Sequence, residues 1–284
     1  MNAPSPTDGP ATRGVRTILV GLDGSRFSER ALPAAAALAS RLRWQVFLFS
    51  AVPSEEEADE RLRRLSALRP RGLPTDIDVL PDPDPADAID TVLRDLGAAV
   101  ACVASHGAGR SAALLGSVTN EVIRRRMEPT IVVGPGFSHE RMGSGVVVCV
   151  DGTEPAAEIL PTAVQWSELL DVPLTVVTVA EPVPPPLRGG PPHRRFGPEE
   201  NVERFLDELA APLRAEGHLV ATKVVYDPIS PASGLRRHLW DNPASLVAVG
   251  SHLRRTARHP VLGRVAASMV RQSLAPTLVV PRVD

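Results

Sequence analysis

The chain has 284 residues, of which 43% are apolar and 23% charged, with a formal net charge of −2. That length and mix make one large or two ordinary domains with a real core, and the near-neutral balance leaves neither nucleic acid nor an anionic membrane as a default partner. No apolar run approaches the ~18 residues that span a bilayer. Of the 31 basic residues only Lys223 is a lysine, and no glycine-rich run precedes it, which excludes a lysine-bearing Walker-type phosphate loop.

Residues 1–14 carry Pro, Gly, Ser and Asp but no apolar stretch, so they read as a disordered leader rather than a signal peptide. From there, short β-branched runs alternate with longer amphipathic ones. This predicts strands over 17–22, 44–52, 76–80, 98–104 and 130–134, with helices over 26–42, 55–68, 85–96 and 117–127. A second series predicts strands over 145–150, 173–180, 219–226, 245–250 and 277–281. Strands separated by helices imply βαβ units and a parallel sheet. Cys102 and Cys149 each lie inside an apolar run and read as buried small hydrophobes, in keeping with a reducing cytoplasm.

The two series are copies. Gly116, Val118, Pro129, Thr130, Val132 and Val133 recur as Gly263, Val265, Pro276, Thr277, Val279 and Val280. Asp23, Gly24 and Ser25 recur as Asp151, Gly152 and Thr153. The second copy is longer in its middle, where 181–198 is dense in Pro, Gly and Arg and reads as an exposed loop. The expected division is therefore a leader at 1–14, repeat 1 at 15–135, a linker at 136–144 and repeat 2 at 145–284. The fold class is α/β: two tandem Rossmann-like domains, each a five-stranded parallel sheet flanked by helices, packed as a pseudo-dimer.

Ligands of open α/β sheets bind outside the carboxyl ends of the strands. Gly21 and Asp23 end the first strand, and Ala104, Ser105, His106, Gly107 and Gly109 follow the fourth. Gly116, Ser117, Val118 and Thr119 then open a helix. Glycines let backbone N–H groups approach phosphates, and the helix N-terminus adds its positive end. Taken alone, Asp23, Gly24 and Ser25 would be only a turn with its cap. Their duplication, and their place facing the glycine loop, favour a site. His106 and His252 are expected to touch backbone or phosphate rather than act as bases. Arg124, Arg125 and Arg126 read as a solvated helix end that complements the dipole. Asp82, Asp84 and Asp87 read as a loop with a helix cap.

With the closing Pro-Thr-x-Val-Val strand, this pattern resembles the ATP-binding universal stress proteins. Their loop runs Gly, two residues, Gly, nine residues, Gly, then Ser or Thr. In repeat 1 Ala104 stands for the first Gly, and eight residues separate Gly107 from Gly116. In repeat 2 Gly250, the nine-residue gap and Gly263 are kept, but Leu253 replaces the second Gly and Arg264 the Ser or Thr. The resemblance implies that Asp23 and Asp151 lie near adenine or ribose. It implies that Ser50 with Ala51, and Thr178, line the adenine pocket. Ser105 to Gly109 and Gly116 to Thr119 would hold phosphates, with Gly250, Ser251, His252, Gly263 and Arg264 as the second set. It implies ATP accompanied by Mg²⁺, pairing of the two last strands, and a homodimer of chains. The function implied is regulatory or stress-responsive binding of ATP in the cytoplasm, without an assigned catalytic residue. A scaffold that binds no nucleotide stays open. So does a weak ATP-hydrolysing enzyme of the related adenine-nucleotide α-hydrolase group, although the Ser-Gly-Gly-x-x-Ser type loop of that group is missing after the first strand.

Overall fold

The computed structural model describes residues 16–106, 115–150, 158–180, 199–252 and 262–282. Repeat 1 contributes strands β1 (Thr17–Gly21), β2 (Gln45–Val52), β3 (Thr75–Pro81), β4 (Ala99–Ala104) and β5 (Thr130–Val133). Between them run helices α1 (Ala31–Leu42), α2 (Glu55–Ala67), α3 (Pro85–Leu96) and α4 (Ser117–Arg125). Repeat 2 contributes β6 (Val146–Cys149), β7 (Leu174–Ala180), β8 (Val220–Tyr226), β9 (Leu246–His252) and β10 (Thr277–Arg282). Its helices are α5 (Leu160–Leu170), α6 (Glu199–Ala215), α7 (Pro231–Asp241) and α8 (Arg264–Gln272).

Within each repeat the strands are parallel in the order 3-2-1-4-5 or its counterpart. The two halves do not remain separate sheets. β10 pairs antiparallel with β5, Thr277 opposite Val132 and Val279 opposite Thr130, so all ten strands form one sheet.

Alternation along the strands feeds two cores. Ile18, Val20, Ile131, Val133, Val146 and Val148 face α1, α2, α5 and α6. Leu19, Val132 and Val147 face α3, α4, α7 and α8. Trp44 and Trp166 meet across the halves with ring centroids 5.9 Å apart. Cys102 is fully buried, which pushes its thiol up to about 12, and burial raises the Cys149 thiol as well. Neither forms a disulfide.

Two expectations need correction. The helix expected from residue 26 starts at Ala31, after a single 3-10 turn over Ser28–Arg30. Ser25 and Ser28 hydroxyls bond nearby backbone there, offering the chain an alternative to the α-helical ladder. The three arginines at 124–126 are not a solvated end. Arg125 pairs with Asp84, Asp87 and Glu121, and Arg126 pairs with Asp90 and Glu128 while its side chain is only 5% exposed. The last turn of α4 packs against the acidic side of α3, so these guanidinium groups clamp the two helices together. Asp84 is the expected cap: its carboxylate accepts from the Ala86 and Asp87 amides at the start of α3.

The chain between the halves is held closely. Gly143 donates its N–H to the Ala244 carbonyl, and its own carbonyl accepts from Arg41 and Ser245. A Cβ at Gly143 would run into the Pro243 carbonyl, so only glycine fits this approach.

Candidate functional site

The order 3-2-1-4-5 reverses direction between β1 and β4, and that is where the two loop ends meet. Gly21 lies opposite Phe49 of β2 and Val103 of β4, so the end of β1 sits between Ser50 on one side and Ala104 on the other. Gly21 itself makes room for packing: a Cβ there would meet Ile89 of α3 at 3.1 Å and Val103 of β4 at 3.2 Å.

Ser105 and Gly116 close the base of the loop. The Ser105 amide donates to Val133 O at 2.8 Å, and the Gly116 amide donates to Ser105 O at 2.9 Å. Thr119 then pins the first turn of α4 to the sheet, its buried hydroxyl donating to Ala104 O at 2.7 Å. Gly116 occupies the N-cap with φ −57° and ψ 145° and supplies no side-chain cap. The first-turn amides of a helix have no partner inside it. Those of α4, beginning at exposed Ser117 and half-buried Val118, therefore lack a capping side chain.

A missing side-chain cap is shared with α1, α2 and α5, but their N-caps are Arg30, Ser54 and Ile159 rather than glycine. α3 is capped by Asp84 and α7 by Ser230, which accepts from Ser233. α8, like α4, starts from a glycine, Gly263, without a side-chain cap. The two helices that follow the fourth strand of each repeat thus share an uncapped start, a geometry suited to anions.

At the other end of the crevice, Asp23 Oδ1 accepts from the Ser25 amide at 2.8 Å, so this carboxylate also shapes its own turn. Ser50 is buried in β2 and accepts from Arg61 Nη1 at 2.7 Å, while Ala51 beside it is half-buried. Arg61 was not legible as a site residue. It lies on a charged helix, and no motif marks it. His106 Nδ1 lies 2.7 Å from Ser105 Oγ.

Repeat 2 brings Gly250 and Ser251 to the end of β9, beside the end of β10. Thr178 Oγ1 donates to Val150 O at 2.9 Å and is engaged with the sheet's own backbone. Ala266 stands where Thr119 stands in repeat 1, so α8 lacks the hydroxyl that pins α4. Gly107, Gly109, Leu253 and Asp151, and the side chains of His252 and Arg264, lie outside the described residues. Among the described residues no cluster of His, Cys, Asp or Glu could hold a metal ion, and no helix is long and apolar enough to cross a membrane.

Two doubly wound halves sharing one sheet, each with an uncapped helix start at its switch point, define a tandem α/β protein of the Rossmann-like kind. The chain belongs to the universal stress protein family, whose model matches residues 14–134 and 144–281. A universal stress protein from Archaeoglobus fulgidus is similar in structure, with a TM-score of 0.67 at 17% identity, covering 95% of this chain and 99% of its own. A functionally unknown protein from Pseudomonas aeruginosa has a TM-score of 0.63 at 17% identity, covering 94% of this chain and 93% of its own. A further Archaeoglobus fulgidus universal stress protein, in complex with dAMP, covers 49% of this chain and 98% of its own at 20% identity and a TM-score of 0.37. Among curated proteins nothing matches.

Proposed function

We propose that this universal stress protein binds an adenine nucleotide, ATP with its Mg²⁺, in the crevice of repeat 1, and that it acts by binding rather than by turnover. The observation that carries this is the start of α4. Its amides are uncapped, its N-cap is a glycine, and Thr119 ties its first turn to the end of β4. Such a turn presents N–H groups and a partial positive charge to a phosphate without reorganising. Ser117 adds a hydroxyl at the first helical position. The Mg²⁺ would arrive on the nucleotide. The reading extends to a cytoplasmic protein whose whole chains associate as a homodimer.

Repeat 2 fits a structural role better. Its helix start has Ala266 instead of the pinning threonine, and Thr178 is bonded to backbone.

Calorimetric titration with ATP and Mg²⁺ tests the reading on the wild type and on a Gly116→Val, Ser117→Ala double variant. One binding site in the wild type and none in the variant is the expected result. Unchanged binding in the variant would move the nucleotide out of repeat 1. No binding to the wild type at millimolar ATP would leave a protein that works as a scaffold.

A further inference from the structure

The base end of the repeat 1 crevice holds a side chain that neither the duplication nor the family pattern singles out. Arg61 reaches from α2 to the ends of β1 and β2, where its Nη1 donates to Ser50 Oγ at 2.7 Å. Gly24 lies against it in a left-handed conformation, φ +80°. A Cβ built on Gly24 would sit 2.9 Å from Arg61 Cζ, 3.0 Å from Nη2 and 3.1 Å from Nη1. Three nearly equal distances put that point above the middle of the guanidinium, not at its edge. The group therefore lies flat on the Gly24 backbone, an approach that a side chain on residue 24 would prevent.

This geometry leaves one surface unused. Ser50, 1% exposed, fixes the edge of the guanidinium, and Gly24 covers one face. Arg61 as a whole is only half-buried, and among the described residues no carboxylate pairs with it. The opposite face of this planar cation carries no hydrogen bond or ion pair to a described residue. Guanidinium planes stack on aromatic faces as well as attracting anions.

Among its described residues repeat 2 has nothing equivalent. Arg69 and Arg214, 145 positions apart, each donate at 3.0 Å to the carbonyl of the first residue of the following edge strand, Thr75 and Val220. In that frame the counterpart of Arg61 is Leu206, which is 1% exposed and part of the core. The counterpart of Ser50, Thr178, bonds to Val150 O instead.

We propose that Arg61 is the platform on which the base of a purine nucleotide stacks in repeat 1, and that it makes this crevice, and not that of repeat 2, selective for ligands that are both anionic and aromatic. The proposal rests on the nucleotide reading of the same crevice. With it, each end of the crevice has its own attraction: uncapped amides for phosphate, a flat cation for the base.

The test is calorimetry on the full chain with two probes, ATP with Mg²⁺ and inorganic tripolyphosphate, using wild type, Arg61→Ala and Arg61→Lys. Loss of one stacked base corresponds to a Kd for ATP raised about tenfold in Arg61→Ala. Arg61→Lys keeps the charge without the plane and should lose nearly as much, while its affinity for tripolyphosphate stays within about twofold of wild type. An ATP affinity unchanged in Arg61→Ala overturns the proposal. So does a tighter one, which would make the guanidinium an obstacle to the base. Equal losses for ATP and tripolyphosphate also overturn it and would assign Arg61 to the phosphates. A wild type that binds neither probe removes the nucleotide reading itself, a failure distinct from all of these.

Discussion

Thr130 and Thr277 open the two strands that join the halves, and they are 1% and 0% exposed. The Oγ1 atom of each is buried without a hydrogen-bond partner. Each hydroxyl is shut off from bulk solvent and has no protein partner. Burying a hydroxyl in that way costs about 1–3 kcal/mol by protein mutational measures. Valine places a methyl group where the hydroxyl was and suits a central strand. Thr130→Val and Thr277→Val are therefore each expected to stabilise the fold by about 1 kcal/mol, and together by about 2. In urea titrations followed by circular dichroism, a slope of about 3 kcal/mol per molar turns that into a midpoint about 0.3 M higher per substitution, with the slope unchanged. Thr→Ala at the same positions removes a methyl from the core as well and should destabilise, which separates polarity from volume. A lower midpoint for either valine variant would mean that the hydroxyl is satisfied, and the reasoning would be wrong.

Thr119 makes the opposite case. Its hydroxyl does have a partner, so Thr119→Val should cost about 1–2 kcal/mol in the same urea assay and weaken ATP binding, because the first turn of α4 is released from Ala104. Thr119→Ser, which keeps the hydroxyl, should recover most of the affinity. Asp227 gives a pH dependence. The Ser230 amide, then that of Ile229, with Arg237 nearby, hold this carboxylate below its usual value of 3.8. Its folded value is the lower one, so its contribution is full above the unfolded value and is lost as pH falls through the folded one. Between pH 6 and pH 3, the urea midpoint of wild type should fall more steeply than that of Asp227→Asn. Parallel curves would remove Asp227 from the acid response.

Much of the architecture was legible because local chemistry and tertiary packing agree. The start of α3 is marked by Asp84 as cap and Pro85 in the first turn, and the strands are marked by their runs of Val, Ile and Leu. Edge strands β3 and β8 were found as readily as central ones, since both keep β-branched residues. What was not legible depends on encounters between distant segments. Nothing local to Arg125 or Arg126 announces Asp84, Asp87 or Asp90, because these partners lie at the start of or within another helix whose rotation only packing decides. The merging of two sheets into one was expected from the family resemblance, which implies that β5 and β10 pair, and not from the residues themselves, which permit that pairing without specifying it. At the crevice, the glycine at 116 stood out through spacing; the threonine at 119 came from the resemblance, as a phosphate ligand, and its hydroxyl instead binds Ala104 O. Arg61 stayed hidden among the charges of α2, because its meaning comes from Gly24 lying beneath it.

The joint between β5 and β10 is made inside one chain. Two separate copies forming such a joint would meet at a rate set by their concentration, and each would present the same side chain to the other. Here the covalent link makes the encounter intramolecular, so it persists on dilution. It also releases the halves from having to stay alike. One could keep Thr119 and acquire Arg61 while its neighbour took Ala266 and Leu206, and the seam between them, built on Thr-x-Val-Val in both, would register no difference. Fusion thus lets one half specialise while the other supports it.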